Sequence, residues 1–316
     1  MKIGSIAVDG NIRYGVVEGN HIDLMDVATD FYSAIARGPG EVGPTGPRLP
    51  WDSAGSVGIP FPVNTIRDFI TFEQHTAGSL RSVTGTSEIP DAWYEAPAFY
   101  FTNPHAALGS GAGVPIPPGC DMLDFELEVA VVIGRAGYNL SVDEAFDHVA
   151  GFTILNDWSA RDLQRREMRV GLGPAKGKDT ATTLGPVLVT PDELAPFQRG
   201  DRYDLSMEVW VNDSRIGGDS LANMAWSFSE LIAYASRGTW VKPGDVLGSG
   251  TCANGCLAEL WGWRGENQPP PLSVGDTVTM TVEGIGTITN AVSEGPQLHP
   301  VAAATRTPRD HGPAHR

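Results

Sequence analysis

Short runs of alternating apolar and polar residues dominate this chain, and few stretches carry the three-to-four-residue spacing of an amphipathic helix. Near the N-terminus, Ile3 to Val8, Tyr14 to Val17 and His21 to Leu24 are strand-like. The turns Asp9-Gly10-Asn11 and Glu18-Gly19-Asn20 separate them, which predicts a small β-meander. A short helix is predicted over Phe31 to Ala36, whereas Gly38 to Pro50 is too rich in Gly and Pro for either regular structure and reads as a linker or surface loop. Ile66, Phe69, Ile70 and Phe72 sit at helix-compatible spacings, so a helix is expected through Thr65 to His75, with Asp68 and His75 on one face. Further strands are expected at Phe99 to Thr102, Phe125 to Ile133, Gly151 to Leu155, Val187 to Val189, Leu205 to Val211 and Thr277 to Val282. Helices are expected over Ser159 to Met168 and Trp226 to Arg237. After about His299 no periodicity remains, which reads as a disordered tail. Periodicity alone therefore gives a β-rich chain with a few helices.

Composition narrows this picture. A chain of 316 residues can bury a large core without staples. Its 38 glycines and 24 prolines favour many turns over long helices. The net charge of -16 opposes phosphate backbones and anionic lipid surfaces, so neither nucleic acid nor membrane is an expected partner. Cys120, Cys252 and Cys256 cannot all pair within one chain, and no leader-like segment is visible at Met1-Lys2-Ile3-Gly4, so a reducing cytoplasm is the expected compartment. Cys252 and Cys256 have no second cysteine or histidine pair nearby in sequence, and no zinc site is expected there. Gly109-Ser110-Gly111-Ala112-Gly113 runs into prolines and cannot open a dinucleotide-binding helix. Gly173 to Lys178 has the wrong glycine spacing for a phosphate loop.

The chemistry is concentrated in two segments. In Asp124-Phe125-Glu126-Leu127-Glu128-Val129-Ala130-Val131-Val132 the period of two sends Phe125, Leu127, Val129 and Val131 to one face of a strand and Glu126 and Glu128 to the other. Two carboxylates about 7 Å apart beside a buried strand resist desolvation. Something positive should meet them, and a divalent cation with oxygen ligands is the economical candidate. The second segment, Gly151 to Gln164, is apolar until Asn156-Asp157, where a strand passes into a helix whose one face carries Asp157, Arg161 and Gln164. That is either a binding wall or an ordinary N-cap with an ion pair.

Taken together, Asp124-Phe-Glu-Leu-Glu-Val, Asn156-Asp-Trp-Ser-Ala-Arg-Asp-Leu-Gln and Lys178-Asp-Thr-Ala-Thr-Thr-Leu-Gly-Pro resemble the fumarylacetoacetate hydrolase family, over residues 64 to 295. The resemblance implies a β-rich α+β fold: a small β-rich N-terminal domain and linker at 1–58, a mixed β-roll or barrel-like catalytic domain at 59–298 and a tail at 299–316. It also implies a homodimer. Glu126, Glu128 and Asp157 would bind Mg²⁺, Mn²⁺ or Ca²⁺, Asp68 would add a ligand, and Lys178 and Thr182 would lie close by. His75 would act as catalytic base, paired with Glu259 in a strand-like Ala258-Glu259-Leu260-Trp261. The string Gly248 to Thr251 would be a substrate-binding turn.

The implied chemistry is hydrolysis of a carbon–carbon bond in a small β-diketo acid. Chelation of both carbonyl oxygens stabilises the departing enolate. His75, oriented by Glu259, activates water, and Lys178 and Gln164 stabilise the oxyanion. Arg161 would hold either the substrate carboxylate or a metal ligand. Isomerases, decarboxylases and hydratases of the family share the metal site, and a non-catalytic small-molecule binder is the remaining alternative. Ile70 and Met168 stand where the family prototype has substrate-holding tyrosines, which makes the pocket more apolar and leaves the substrate open.

Overall fold

In a computed structural model of the chain, residues 1–25, 31–36, 46–52 and 58–305 are described below. Two sheets pack face to face. The larger has eleven strands, with Arg48–Pro50 at one edge, then His21–Leu24, Asn11–Glu18, Lys2–Val8, Thr182–Val189, Val149–Asp157, Leu127–Ile133, Asp245–Gly248, Thr65–Phe69 and Phe99–Thr102; Ala107–Leu108 pairs with Thr182–Val189 off this path. The smaller has five, in the order Ser214–Ser220, Ser206–Val211, Thr277–Val282, Gly286–Ser293 and Val114–Pro115. Neither sheet closes on itself, so the fold is a strand-rich α+β architecture without a closed barrel.

Alternation along the central strands makes two cores. Phe125, Leu127, Val129, Val131, Phe152 and Ile154 face the smaller sheet and meet Met207, Val209, Met280, Val282 and Ile288. Ala130, Val132, Leu155, Leu184, Val246 and Ile66 point to the opposite face, where they pack on Ile3, Phe61 and the helix Phe31–Ala36.

The N-terminal meander forms with Asp9 and Gly10 both at positive φ, as a tight two-residue hairpin turn needs. Its first strand is a member of the large sheet, since Lys2 and Ile3 pair with Val189 and Leu188. The division expected near residue 58 thus falls between strands of one sheet. Within the segment expected to be irregular, Arg48–Pro50 is an edge strand beside His21–Leu24, and residues 37–45 lie outside the described set. The tail beyond 305 lies outside it too, and 299–305 have no regular structure.

Two elements differ in kind from the expectation. Thr65–Phe69 is a strand, parallel to Asp245–Gly248 and antiparallel to Phe99–Thr102, and the helix only begins afterwards, as Glu73–Thr84. The strand is flanked on both sides and buried on both faces, with Ile66 and Asp68 on one face and Arg67 and Phe69 on the other, so no apolar–polar alternation marks it and the spacing passes for helical. The Glu259 segment is a helix, Leu257–Arg264, ended by Gly265 in the left-handed region at φ 75°. It is buried over most of its circumference, which erases the apolar stripe that would have marked it. Among the described residues no helix is long and apolar enough to cross a membrane.

Candidate active site

Register builds the site. On the larger sheet's second face, one step beyond the apolar Leu184, Leu155, Val246 and Ile66, the strands carry Thr182, Asp157, Gly248 and Asp68, and Glu128 lies on the same face of Leu127–Ile133. Thr182 pairs with Asp157, the Asp157 N–H donates to the Glu126 carbonyl, Gly248 pairs with Asp68, and Asp68 pairs with Tyr100. The row therefore crosses six neighbouring strands, with Gly248 its one member lacking a polar side chain, and ends on a phenol. Gly248 is required at its centre. A Cβ there would stand 2.6 Å from Asp68 Oδ1 and 2.8 Å from Glu128 Oε2, closer than side chains pack.

Asp68, Glu126, Glu128 and Asp157 are all buried. The Lys178 ammonium donates to both Glu126 and Asp157, and the Arg161 guanidinium reaches Glu126 Oε1 at 2.6 Å and Asp124 Oδ2 at 2.8 Å. Asp124 also accepts the Leu257 and Ala258 N–H groups at 2.8 and 2.9 Å, which caps the helix that carries Glu259. Glu128 accepts the Gly250 N–H at 3.0 Å and the Thr251 hydroxyl at 3.3 Å. Thr251, expected at substrate, thus holds a carboxylate in place. Arg161 also donates to Gln164 Oε1 at 3.1 Å, so its fork is spent on Asp124, Glu126 and Gln164.

These charges do not balance. Burial pushes Glu128, Asp157 and Asp68 above the usual carboxylate range, and the neighbouring carboxylates add to the rise at Glu128 and Asp157. Burial acts on Glu126 in the same direction, but Lys178, Arg161 and His75 outweigh it and hold Glu126 below that range. Burial would lower Lys178, yet Asp157 and Glu126 keep it above its ordinary value. With Asp124 counted, five buried carboxylates face two cations, Lys178 and Arg161, so positive charge is in deficit.

A divalent ion fits that deficit. Asp68, Glu126 and Glu128 can each place one oxygen within 4.8 Å of the others. Asp68 Oδ1, Asp157 Oδ1 and Thr182 Oγ1 are buried oxygens with no hydrogen-bond partner. The donor set is all oxygen, which suits Mg²⁺, Mn²⁺ or Ca²⁺ better than a soft metal.

His75 sits in the first turn of its helix, buried, with Nδ1 3.4 Å from Glu259 Oε2 and Nε2 3.2 Å from Ser79 Oγ. Glu259 is itself buried and held by three donors: the Asn254 N–H at 2.7 Å, Gln74 Nε2 at 3.3 Å and Trp263 Nε1 at 3.3 Å. Burial raises its pKa, but His75, Asn254 and Trp263 prevail and hold it below its ordinary value. It stays an anion beside the imidazole.

Every site residue expected from sequence lies in or beside this cluster, although Asp68 and His75 reach it from a strand and a helix rather than from one helical face. Tyr100 was missed. Its hydroxyl lies between Asp68 Oδ2, at 2.8 Å, and Asp157 Oδ2, and burial with four nearby carboxylates keeps the phenol protonated. Of the two positions lacking the prototype's tyrosines, Ile70 is half-buried and Met168 is exposed at the end of the Arg161–Met168 helix.

Comparison with known proteins finds relatives over most of the chain. The family model described as Fumarylacetoacetate (FAA) hydrolase C-terminal matches residues 65–293. The oxaloacetate tautomerase YisK of Bacillus subtilis is 36% identical over 170 residues, covering 54% of this chain and 52% of the tautomerase. The fumarylacetoacetase of Arabidopsis thaliana is 30% identical over 286 residues, covering 75% of this chain and 67% of the plant enzyme. This chain thus spans from about half to two thirds of the length of these relatives. Among solved structures, the fumarylacetoacetate hydrolase of Exiguobacterium antarcticum superposes with a TM-score of 0.71 at 28% identity, over 93% of this chain and 99% of that one.

Proposed function

Because the chain belongs to the fumarylacetoacetate hydrolase family, we propose that it is a divalent-metal-dependent hydrolase that cleaves a carbon–carbon bond in a small β-diketo acid. The observation that carries this reading is the buried His75–Glu259 pair, 3.4 Å apart, set beside the four carboxylates. Tautomerisation needs a polarised carbonyl and a proton shuttle, whereas hydrolysis also needs an activated water, and an imidazole tied to a fixed carboxylate supplies that.

Asp68, Glu126, Glu128 and Asp157 would hold the ion, which when bound supplies Lewis-acid polarisation of the dicarbonyl and stabilisation of enolate charge. Glu259 accepts from the Nδ1 side and fixes the tautomer, leaving Nε2 to take the proton of water. The Ser79 hydroxyl already lies against Nε2 and can hold or pass that water's proton. Lys178 and the Gln164 amide N–H would stabilise the oxyanion that forms on attack, and Arg161 and Thr251 keep Glu126 and Glu128 aligned. The same reading takes the chain to be a cytoplasmic homodimer, which light scattering of purified protein tests.

The test of hydrolysis is a panel of acylpyruvates and related diketo acids, followed by loss of absorbance with Mg²⁺ or Mn²⁺. His75→Ala should lower kcat by at least about 100-fold while the Mn²⁺-induced rise in Tm is kept. Turnover unchanged in that variant overturns the assignment. Likeness to an oxaloacetate tautomerase favours a second reading, enol–keto conversion of a 2-oxo acid on the same metal groups. A chain that equilibrates oxaloacetate tautomers but yields no cleavage product from any diketo acid belongs to that reading.

A further inference from the structure

Cys256 lies against His75 and has no part in the proposed reaction. Its Sγ lies 3.7 Å from His75 Nδ1, and both side chains are buried. The His75 imidazole, the Cys256 thiol and the Glu126 carboxylate can each offer one ligand atom within 4.8 Å of the other two. Sequence spacing gave no reason to expect a metal at Cys256. The fold changes that, because His75 comes from one helix, Glu126 from the segment leading into a central strand, and Cys256 from the N-cap of another helix.

The geometry points to a second metal site here, for a thiophilic divalent ion such as Zn²⁺. Tetrahedral coordination with Zn–S near 2.3 Å and Zn–N near 2.0 Å separates sulfur from nitrogen by about 3.5 Å, and the pair stands at 3.7 Å. One thiolate, one imidazole and one carboxylate make a three-protein-ligand zinc set with a fourth position open to water. The donors differ in kind from the row across the sheet. Soft sulfur and nitrogen select Zn²⁺ over Mg²⁺, while the oxygen row selects hard ions. On binding, the thiol proton leaves to solvent and sulfur becomes the anionic ligand.

Glu126 belongs to both sets, and His75 is the proposed base, so the two sites cannot act independently. Zinc on Cys256 replaces the His75 Nδ1 proton, which moves through solvent to Nε2, so His75 loses its contact with Glu259 and its free basic nitrogen, and Glu126 is drawn away from the hard ion. The site is therefore inhibitory, whichever reaction the chain performs.

Co²⁺ is the probe, since a cobalt–thiolate bond gives a near-ultraviolet charge-transfer band that oxygen ligands do not. The full chain and its Cys252→Ser variant should both develop this band on titration. Cys256→Ser and Cys256→Ala should lack it while still raising Tm with Mn²⁺, which shows that they are folded and keep the oxygen site. If either reaction is detected, Zn²⁺ should inhibit the Mg²⁺-loaded enzyme, and Cys256→Ser should need at least about 10-fold more Zn²⁺ for the same inhibition, the least a lost supporting group costs in metal affinity. No band in the unmodified chain overturns the proposal, as does a band that persists without Cys256. Neither readout depends on the carbon–carbon hydrolase assignment.

Discussion

Each carboxylate of the row is held for a different reason, and its neighbours decide what it can do. Glu126 has two cations, Lys178 and Arg161, and is an anion. Glu128 has the Gly250 N–H and the Thr251 hydroxyl and no salt bridge among the described residues, and burial together with neighbouring Asp68 keeps its proton affinity high. A consequence follows for pH. Glu128, Asp157 and Asp68 have folded pKa values above their unfolded ones, so without metal the folded chain binds more protons, and stability falls as pH rises from about 4 upward through the raised values. A bound divalent ion replaces those protons. The Tm difference between Mn²⁺ and chelator should therefore widen as pH rises, and parallel Tm curves across pH 5 to about 8 would contradict the charge imbalance. At this scale Glu126 and Glu128 were legible in the sequence, because a period of two puts them on one face whatever the strand packs against. Tyr100 was not. It sits in Phe99-Tyr100-Phe101, where a phenol reads as packing, and only its pairing opposite Asp68 makes it a ligand of the row.

Helices and strands serve the site by their ends. Asp124 illustrates this, since one carboxylate caps the Glu259 helix and pairs with the first residue of the Arg161 helix. Asp124→Ala would leave Arg161 partly unpaired in the interior and strip the helix cap. It should cost about 3–5 kcal/mol, read from denaturant unfolding, and should weaken Mn²⁺ binding through Glu126. A loss under 1 kcal/mol, about what one exposed cap contributes, would show that the two roles are not joined there. The sequence could not disclose this link, because Asp124 and Leu257 are distant in the chain and their contact is tertiary. The same cause lies behind the two misread elements. Thr65–Phe69 and Leu257–Arg264 are enclosed on nearly all sides, and periodicity marks an element only when one of its faces is wet.

At the scale of the whole molecule, the larger sheet is one continuous framework shared by the N-terminal strands and the metal row. The strand Thr182–Val189 carries Thr182 into the site and accepts Lys2–Val8 along its outer half. Ile3 is fully buried against this framework, so Ile3→Ala should destabilise the entire chain by about 2–5 kcal/mol in one cooperative transition. A separate early transition, with the metal site still folded, would restore an independent N-terminal unit. The β-rich character of the molecule was readable from short alternating runs and turn residues. The sheet order was not, because pairings such as Lys2 with Val189 leave no local trace in either segment.

The central claim is that the buried row of Asp68, Glu126, Glu128 and Asp157 is a binding site for one hard divalent ion. Calorimetric titration of the metal-free chain with Mn²⁺ tests it most directly, with Glu128→Gln run beside it. Glu128→Gln keeps the shape and removes a charge that burial already makes costly. The account predicts one Mn²⁺ per chain, bound at least about 10-fold more weakly in Glu128→Gln although that variant is at least as stable as the parent without metal. Absence of a stoichiometric site in the parent chain, or equal Mn²⁺ affinity in the two proteins, would contradict it.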